Sequence, residues 1–266
     1  MRWFLLLFAA RLWAADDANA ILQRAIQAQD ANNKRAEQYT FTRETRRFSF
    51  DKSGRPRLIA TETHEIIFVE GLRYEKLVAR DGKPLSRREQ TQVQKDMDKT
   101  AAYIRTHSRL LPSGGVVSGG NRSAALGSLR ELLLFFENRL AGEETVRGHK
   151  TWVIESAPVP GLRPVGDHER QILSYDKKLW IDETDYVPVR AVYTLSQPNE
   201  VGGPGSTLTF DWEKIDHDVW EVVSLVLNFS KPKDRVFKPE ARTEYEMSSF
   251  QKFDVQSTVT AAGAEP

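Results

Sequence analysis

Apolar residues recur with a helical period in three stretches of the chain. The first, over 18–38, has one apolar stripe and one polar face. The second, over 86–107, contains no Gly or Pro and opens with Ser86 and Glu89 at capping-box spacing. This second stretch is so polar that we predict a helix lying on the surface. The third, over 123–140, has a wide apolar stripe, which is typical of a helix that covers a sheet.

Elsewhere the period changes to two, which indicates β-strands. Turn residues, such as the run from Asp51 to Gly54, divide these stretches into about ten strands. Because the connections are short, neighbouring strands are expected to be antiparallel. The predicted strands are 39–50, 58–69, 72–78, 143–146, 151–156, 173–181, 186–196, 206–214, 219–230 and 241–255.

The later strands have one apolar and one polar face, as in an antiparallel sheet covered on a single side. A long sheet of this kind must curl, and helices must fill its concave side. We therefore predict the α+β class: a single curved antiparallel sheet, with the helices over 18–38 and 123–140 covering the concave face. Strands 58–69 and 241–255 carry charges on both faces, so we predict that they are edges or projecting hairpins.

The N-terminus has the features of an export signal. Residues 1–14 contain an early Arg2, a short apolar run and Ala14 just before two aspartates. The run is too short for a bilayer, which needs about 20 residues. Arg11 interrupts the run, and the alternative interpretation is an apolar N-terminal helix. We interpret 1–14 as a secretory signal peptide, 15–258 as a single domain and 259–266 as a flexible tail.

This interpretation predicts that the mature protein begins at Ala15 or close to it. Cleavage there removes two arginines and changes the net charge from +1 to −1. N-terminal sequencing of the protein from a periplasmic extract is expected to start at Ala15. An intact Met1 on soluble cytosolic protein would contradict the prediction.

Composition excludes several classes of protein. Positive and negative charges nearly cancel, with 38 Lys+Arg against 37 Asp+Glu, whereas a general nucleic-acid binder needs a basic surplus. The chain has no cysteine, which excludes disulfides, thiolate metal sites, cysteine nucleophiles and the acylated cysteine of a bacterial lipoprotein. A mean hydropathy of −0.50 excludes a multi-span membrane protein.

Catalytic signals are weak. No two of the five histidines have the i, i+4 spacing of a helical zinc site. There is no G-x-S-x-G elbow, and the glycine-rich run before Ser123 lacks the lysine of a phosphate-binding loop. The sequence therefore predicts no metal, no cofactor and no enzyme, with an enzyme on this scaffold kept as a minor alternative.

A short motif supports a resemblance to a known family. The segment 175–182 has the sequence YDKKLWID, and after a short acidic turn 185–190 has the sequence DYVPVR. A strand ending in LWID followed by a strand with Y-x-P-x-R resembles the periplasmic lipoprotein carriers of the LolA-like superfamily. Segments 68–74 and 77–85 resemble an exported subgroup of that superfamily whose function is unsettled. The order of elements is similar over nearly all of the mature chain.

The resemblance implies an open half-barrel of antiparallel strands whose concave face holds an apolar cavity. It implies a soluble periplasmic carrier of a lipid, a lipoprotein acyl chain or another hydrophobic ligand, with membrane-bound donor and acceptor proteins as possible partners. The mature form would have no transmembrane segment and bind no nucleic acid. The alternative is a periplasmic protein-interaction or sensor domain on the same scaffold.

Seven apolar residues are predicted to line the cavity. Three of them fall at i, i+4 and i+7 on the helix over 123–140, and four belong to inward rows of the strands that it faces. The alternative is that the same side chains pack as a dry core. The predicted lining is Leu129, Leu133, Phe136, Val189, Tyr193, Phe210 and Trp212.

Overall fold

The structure, a computed structural model, describes residues 3–51, 53–69, 72–107, 116–117, 128–198, 202–230 and 240–253. Within these ranges it contains four helices and twelve strands. The helices are α1 (Trp3–Ala36), α2 (Arg87–His107), α3 (Leu129–Phe135) and α4 (Asp167–Ile172). The strands are β1 (Tyr39–Phe50), β2 (Pro56–Val69), β3 (Leu72–Arg80), β4 (Lys83–Pro84), β5 (Val116–Val117), β6 (Phe136–Val146), β7 (His149–Pro158), β8 (Tyr175–Asp182), β9 (Pro188–Leu195), β10 (Thr207–Asp216), β11 (Val219–Asn228) and β12 (Glu240–Lys252).

Eleven strands form one open, curved antiparallel sheet, which confirms the predicted fold class. Their order is β4-β3-β2-β1-β12-β11-β10-β9-β8-β7-β6, and β5 pairs in parallel with β3. Neighbours in this order are consecutive along the chain except β5, which lies off the path, and except where β1 pairs with β12, so the last strand joins the two halves of the sheet.

Alternation along the strands builds a continuous row of inward side chains. Leu140, Ile154, Leu179, Ala191 and Phe210 stand side by side on five successive strands. Helices α1 and α3 pack on this face, and together with the sheet they make the main hydrophobic core. The fully buried residues of the core include Leu22, Leu132, Ile154, Leu179 and Ile181. The prediction that these two helices share one face is confirmed.

A buried asparagine fastens the C-terminal half of α1 to the sheet. Asn32 Nδ2 donates to the carbonyl of Trp220 at 2.8 Å, and the amide of Trp220 donates to Asn32 Oδ1 at 2.8 Å. Both residues are almost fully buried. The side-chain amide thus satisfies both backbone polar groups of one residue in β11.

The prediction of a helix over 123–140 is wrong at its C-terminal end. The helix ends at Phe135, and Phe136 already has extended backbone angles, φ −126° and ψ 146°. Phe136 and Leu140 share one face both in a helix, where they lie at i and i+4, and in a strand, where every second residue faces the same way. Their spacing therefore does not distinguish a helix from a strand. Pairing of β6 with β7 along its whole length supplies the backbone hydrogen bonds that decide for the strand. Residues 123–127 lie outside the described residues.

The prediction that strands 58–69 and 241–255 are edges is also wrong. β2 lies between β1 and β3, and β12 lies between β1 and β11. Their charges are neutralised by cross-strand ion pairs, including Arg46 with Glu244 at 3.1 Å and Arg80 with Glu62 at 3.4 Å. Cross-strand pairing of opposite charges lets charged strands lie inside a sheet.

The remaining predicted elements have mixed outcomes. α2 begins after the predicted cap, where the amide of Ser86 donates to Glu89 at 2.9 Å, and it packs against β3. α1 is longer than predicted and continues through the proposed cleavage point, so cleavage stays a prediction. Among the described residues, no helix is long and apolar enough to cross a membrane. The predicted tail over 259–266 lies outside them.

Candidate functional site

The structure brings six of the seven predicted lining residues into one cluster. Leu129, Phe136 and Tyr193 are buried members of the main core, and Leu133, Phe210 and Trp212 pack against it while partly exposed. Val189 is fully buried in a second cluster, which Trp212 also touches. Much of the predicted lining is therefore packed core, and the ligand-binding role of these residues stays a prediction.

The core opens into a partly exposed apolar surface in the middle of the sheet. Four inward residues of β10 and β11 form this surface, which we call the inner strip: Phe210, Trp212, Leu225 and Leu227. The Phe210 ring lies 5.4 Å from that of Tyr193 and 5.8 Å from that of Trp212, measured between centroids. These tilted aromatic contacts extend the buried core into the inner strip without a break.

Beyond the inner strip, the inward face of the first strands is charged. Arg43 makes a two-pronged contact with Glu75, with the second N···O distance 2.9 Å, and Arg73 pairs with Glu221 at 2.8 Å. These side chains are mostly buried. Burial and the nearby Arg43 charge lower the pKa of His64 in the same region. Charge thus borders the apolar inner strip on the side of β1, β2 and β3.

Lys177 is the most unusual polar residue of the inward face. Its side chain projects from β8 into the core, the residue is only 3% exposed, and Nζ has no hydrogen-bond acceptor among the described residues. Nζ lies 4.5 Å from the centroid of Phe136 and 5.0 Å from that of Tyr193, so the ammonium contacts the faces of two aromatic rings. Burial lowers the pKa of Lys177 from 10.5 to about 8.

The carboxylate that affects the pKa of Lys177 already has other partners. Glu131, in the first turn of α3, accepts from the backbone amide of Ser128 at 2.5 Å and lies 2.7 Å from His168 Nε2. It raises the pKa of Lys177, but burial is the larger effect. The desolvation of the ammonium is therefore only partly compensated.

Two neighbouring polar residues on the same row are satisfied by each other. Asn138 Nδ2 donates to the carbonyl of Leu132 at 2.9 Å and to Asn19 Oδ1 at 3.0 Å, and Ser156 Oγ donates to Asn138 Oδ1 at 2.7 Å. Ser156 stands directly beside Lys177 across the β7–β8 pair. A cleft of about 800 Å³ runs along β6 to β9. Its lining includes Lys177, Asn19, Asn138 and Ser156, together with outward residues of the same strands.

Sequence reasoning missed Lys177, although a signal was present. Tyr175, Lys177, Leu179 and Ile181 share one face of their strand, and the other three are apolar. A lysine at an inward position of an otherwise apolar row predicts a buried charge. The motif at 175–182 accounts for this strand by its apolar and acidic residues, and its lysines do not stand out within it.

The structure shows no metal centre among the residues it describes, since no three His, Asp or Glu side chains cluster there closely enough to hold an ion. His149 Nδ1 lies 3.1 Å from Asp182 Oδ2. The same carboxylate group accepts from the amides of Thr184 and Asp185 through Oδ1, which closes the β8–β9 turn. The turn alone accounts for the position of Asp182 beside His149.

Neither a protein-family model nor a curated protein matches the sequence. Among solved structures, a DUF1329 family protein from Desulfovibrio piger is 14% identical, with 91% of this chain and 95% of that chain covered and a TM-score of 0.38. An outer membrane lipoprotein-sorting protein domain from Vibrio parahaemolyticus is 12% identical, with coverages of 86% and 92% and a TM-score of 0.36. A LolA superfamily protein from Nitrosomonas europaea is 10% identical, with coverages of 90% and 94% and a TM-score of 0.35.

One of these proteins is described as a member of the LolA superfamily, to which the motif at 175–190 is similar. At such low identities and TM-scores the likeness carries no argument about function. The residues that bear on function lie on the inward face of the sheet.

Proposed function

We propose that this protein binds an apolar ligand, such as the acyl chain of a lipid or lipoprotein, on the inward face of its open sheet. The observation that carries the proposal is the inner strip, where aromatic and aliphatic side chains stay partly exposed although they continue the buried core. A contiguous apolar surface of this kind is typical of a ligand or interaction site.

Energetics favour an acyl chain as the ligand. Transfer of a methylene group from water to an apolar surface gains ~0.8 kcal/mol, so a chain of several methylenes gains enough to bind without a specific polar contact. The inner strip offers two flat rings and two leucines, and such a surface accepts chains of different shape. As an exported carrier, the protein would hold this ligand in the periplasm between membrane-bound donor and acceptor proteins.

The proposal predicts that a charge placed in the inner strip weakens ligand binding. In the Leu225→Lys variant, an ammonium replaces an inward side chain that stands opposite Phe210. We expect binding of cis-parinaric acid methyl ester, followed by its fluorescence, to weaken at least tenfold, which corresponds to ~1.4 kcal/mol.

The adjacent residue provides a matched control. Val226 is also partly exposed but faces outward, between Thr209 and Glu244 of the neighbouring strands. Val226→Lys makes the same chemical change on the opposite face and is expected to leave ester binding unchanged. Equal loss of binding in both variants, or no loss in Leu225→Lys, would reject the inner strip as the ligand surface. Absence of ester binding to the unmodified protein would favour the alternative, a protein-interaction domain.

A further inference from the structure

We propose that Lys177 binds the carboxylate of an amphipathic ligand whose acyl chain lies on the inward face, so that the ligand class is a long-chain carboxylic acid. This inference rests on the proposed function and deepens it by assigning the polar end of the ligand. It starts from the burial of an ammonium that has no hydrogen-bond acceptor among the described residues.

A buried ammonium without an acceptor is costly for a folded protein. In the part of the chain that the structure describes, its desolvation is compensated only by two ring faces and by a glutamate that has other partners. The side chains of the neighbouring Asn138 and Ser156 are hydrogen-bonded to each other. A ligand carboxylate would supply the missing acceptor and the missing negative charge in one group, as a charge-assisted hydrogen bond.

The position of Lys177 suits the head of an acyl chain rather than an isolated anion. Lys177, Tyr193, Leu208 and Leu227 stand opposite one another on four successive strands, β8 to β11. Three strand spacings separate the lysine from Leu227 in the inner strip, or roughly 14 Å. Tyr193 and Leu208 are buried between these two ends, so a chain on this row would take the place of the side chains that cover them. Its carboxylate would then lie at Lys177 and its methylenes would reach the inner strip.

Chemistry also favours a carboxylate over a phosphate. Among the described residues, the charged group that acts on the pKa of Lys177 is Glu131, which itself contacts His168. A phosphate of higher charge requires several donors, whereas one ammonium matches one carboxylate. The aromatic walls formed by Phe136 and Tyr193 exclude water and strengthen the single ion pair.

The test compares cis-parinaric acid with its methyl ester at pH 7, which differ only in the carboxylate. We expect the unmodified protein to bind the acid at least tenfold more tightly than the ester. In Lys177→Met this preference is expected to disappear while ester binding remains. Lys178→Met is the matched control, because Lys178 is the next residue on β8, faces outward and pairs with Glu144. It is expected to keep the full preference for the acid.

The outcomes separate this inference from the proposed function. Equal binding of acid and ester by the unmodified protein, or an unchanged preference in Lys177→Met, would overturn the inference and leave the proposed function standing. Binding of neither probe would overturn both. The comparison of acid with ester in the unmodified protein needs no variant, so a folding defect of Lys177→Met would not obscure the result.

Discussion

Replacement of Asn32 by alanine is expected to lower the free energy of unfolding by about 3 kcal/mol. The variant leaves the amide and the carbonyl of Trp220 buried without their partners, and each unsatisfied group costs ~1–3 kcal/mol. A loss of this size corresponds to a drop in Tm of roughly 6–12 °C for a chain of this length. Thermal unfolding followed by circular dichroism measures it.

The neighbouring Asn33 is the natural control for this prediction. Asn33 has the same side chain, lies on the same helix and is exposed. Asn33→Ala is expected to change the Tm by no more than 2 °C, or roughly 0.5 kcal/mol, as is usual for a surface position. Similar melting of both variants would show that Asn32 does not fasten α1 to the sheet.

Lys177→Met is expected to stabilise the protein at pH 7 by ~1–2 kcal/mol. Burial holds the pKa of Lys177 at about 8 instead of 10.5, a difference worth about 3 kcal/mol at pH 7. Loss of the contacts with Phe136 and Tyr193 offsets ~1–2 kcal/mol of that gain. Methionine has a similar length and packs well against aromatic rings.

The sign of the pH dependence distinguishes this effect from simple repacking. Below pH 8 the lysine is charged in both the folded and the unfolded state, so the whole burial cost is present. Between pH 8 and 10.5 the unfolded state binds more protons, and the stability of the unmodified protein rises relative to Lys177→Met. Urea unfolding at pH 7, 8, 9 and 10 is expected to show an advantage of the variant that shrinks above pH 8. A constant difference across this range would contradict the buried-ammonium account, and Lys178→Met is expected to show no such trend.

The strands of the second half were predictable because alternation and tight turns agree there. Within the motif at 175–190 the register shifts where Ile181 pairs with Pro188, a position that suits proline because it has no amide donor. Asp182 closes the turn that the sequence indicated. Local pattern and tertiary pairing point to the same structure in this region.

The prediction failed where two structures satisfy the same pattern. Phe136 and Leu140 fit a helix and a strand equally, and only the partner strand β7 decides between them. Charges on both faces of β2 and β12 predict edges or projecting hairpins. The ion-pair partners that allow these strands to lie inside the sheet are far away in sequence, as Arg46 is from Glu244. Such pairing depends on the register of the sheet, which the chain does not show by itself.

The sequence predicts which face of the sheet points inward, but not which part of that face is exposed. Alternation correctly places Phe210 and Trp212 on the inward face, but it does not show which inward residues α1 and α3 cover. Tyr193 is covered, whereas the inner strip is partly exposed. The extent of coverage depends on where α3 ends and β6 begins, and the prediction failed at that boundary.

Photo-crosslinking tests the central claim most directly. A long-chain fatty acid with a diazirine near its methyl end is bound to the full chain, activated by light, and the labelled residues are identified by peptide mass spectrometry. The account predicts that the label is concentrated on β10 and β11, at inner-strip residues such as Phe210, Leu225 and Leu227, and that excess unlabelled fatty acid abolishes it. Labelling confined to outward residues such as Val226, or labelling that excess fatty acid does not reduce, would contradict the claim that the inward face binds an acyl chain.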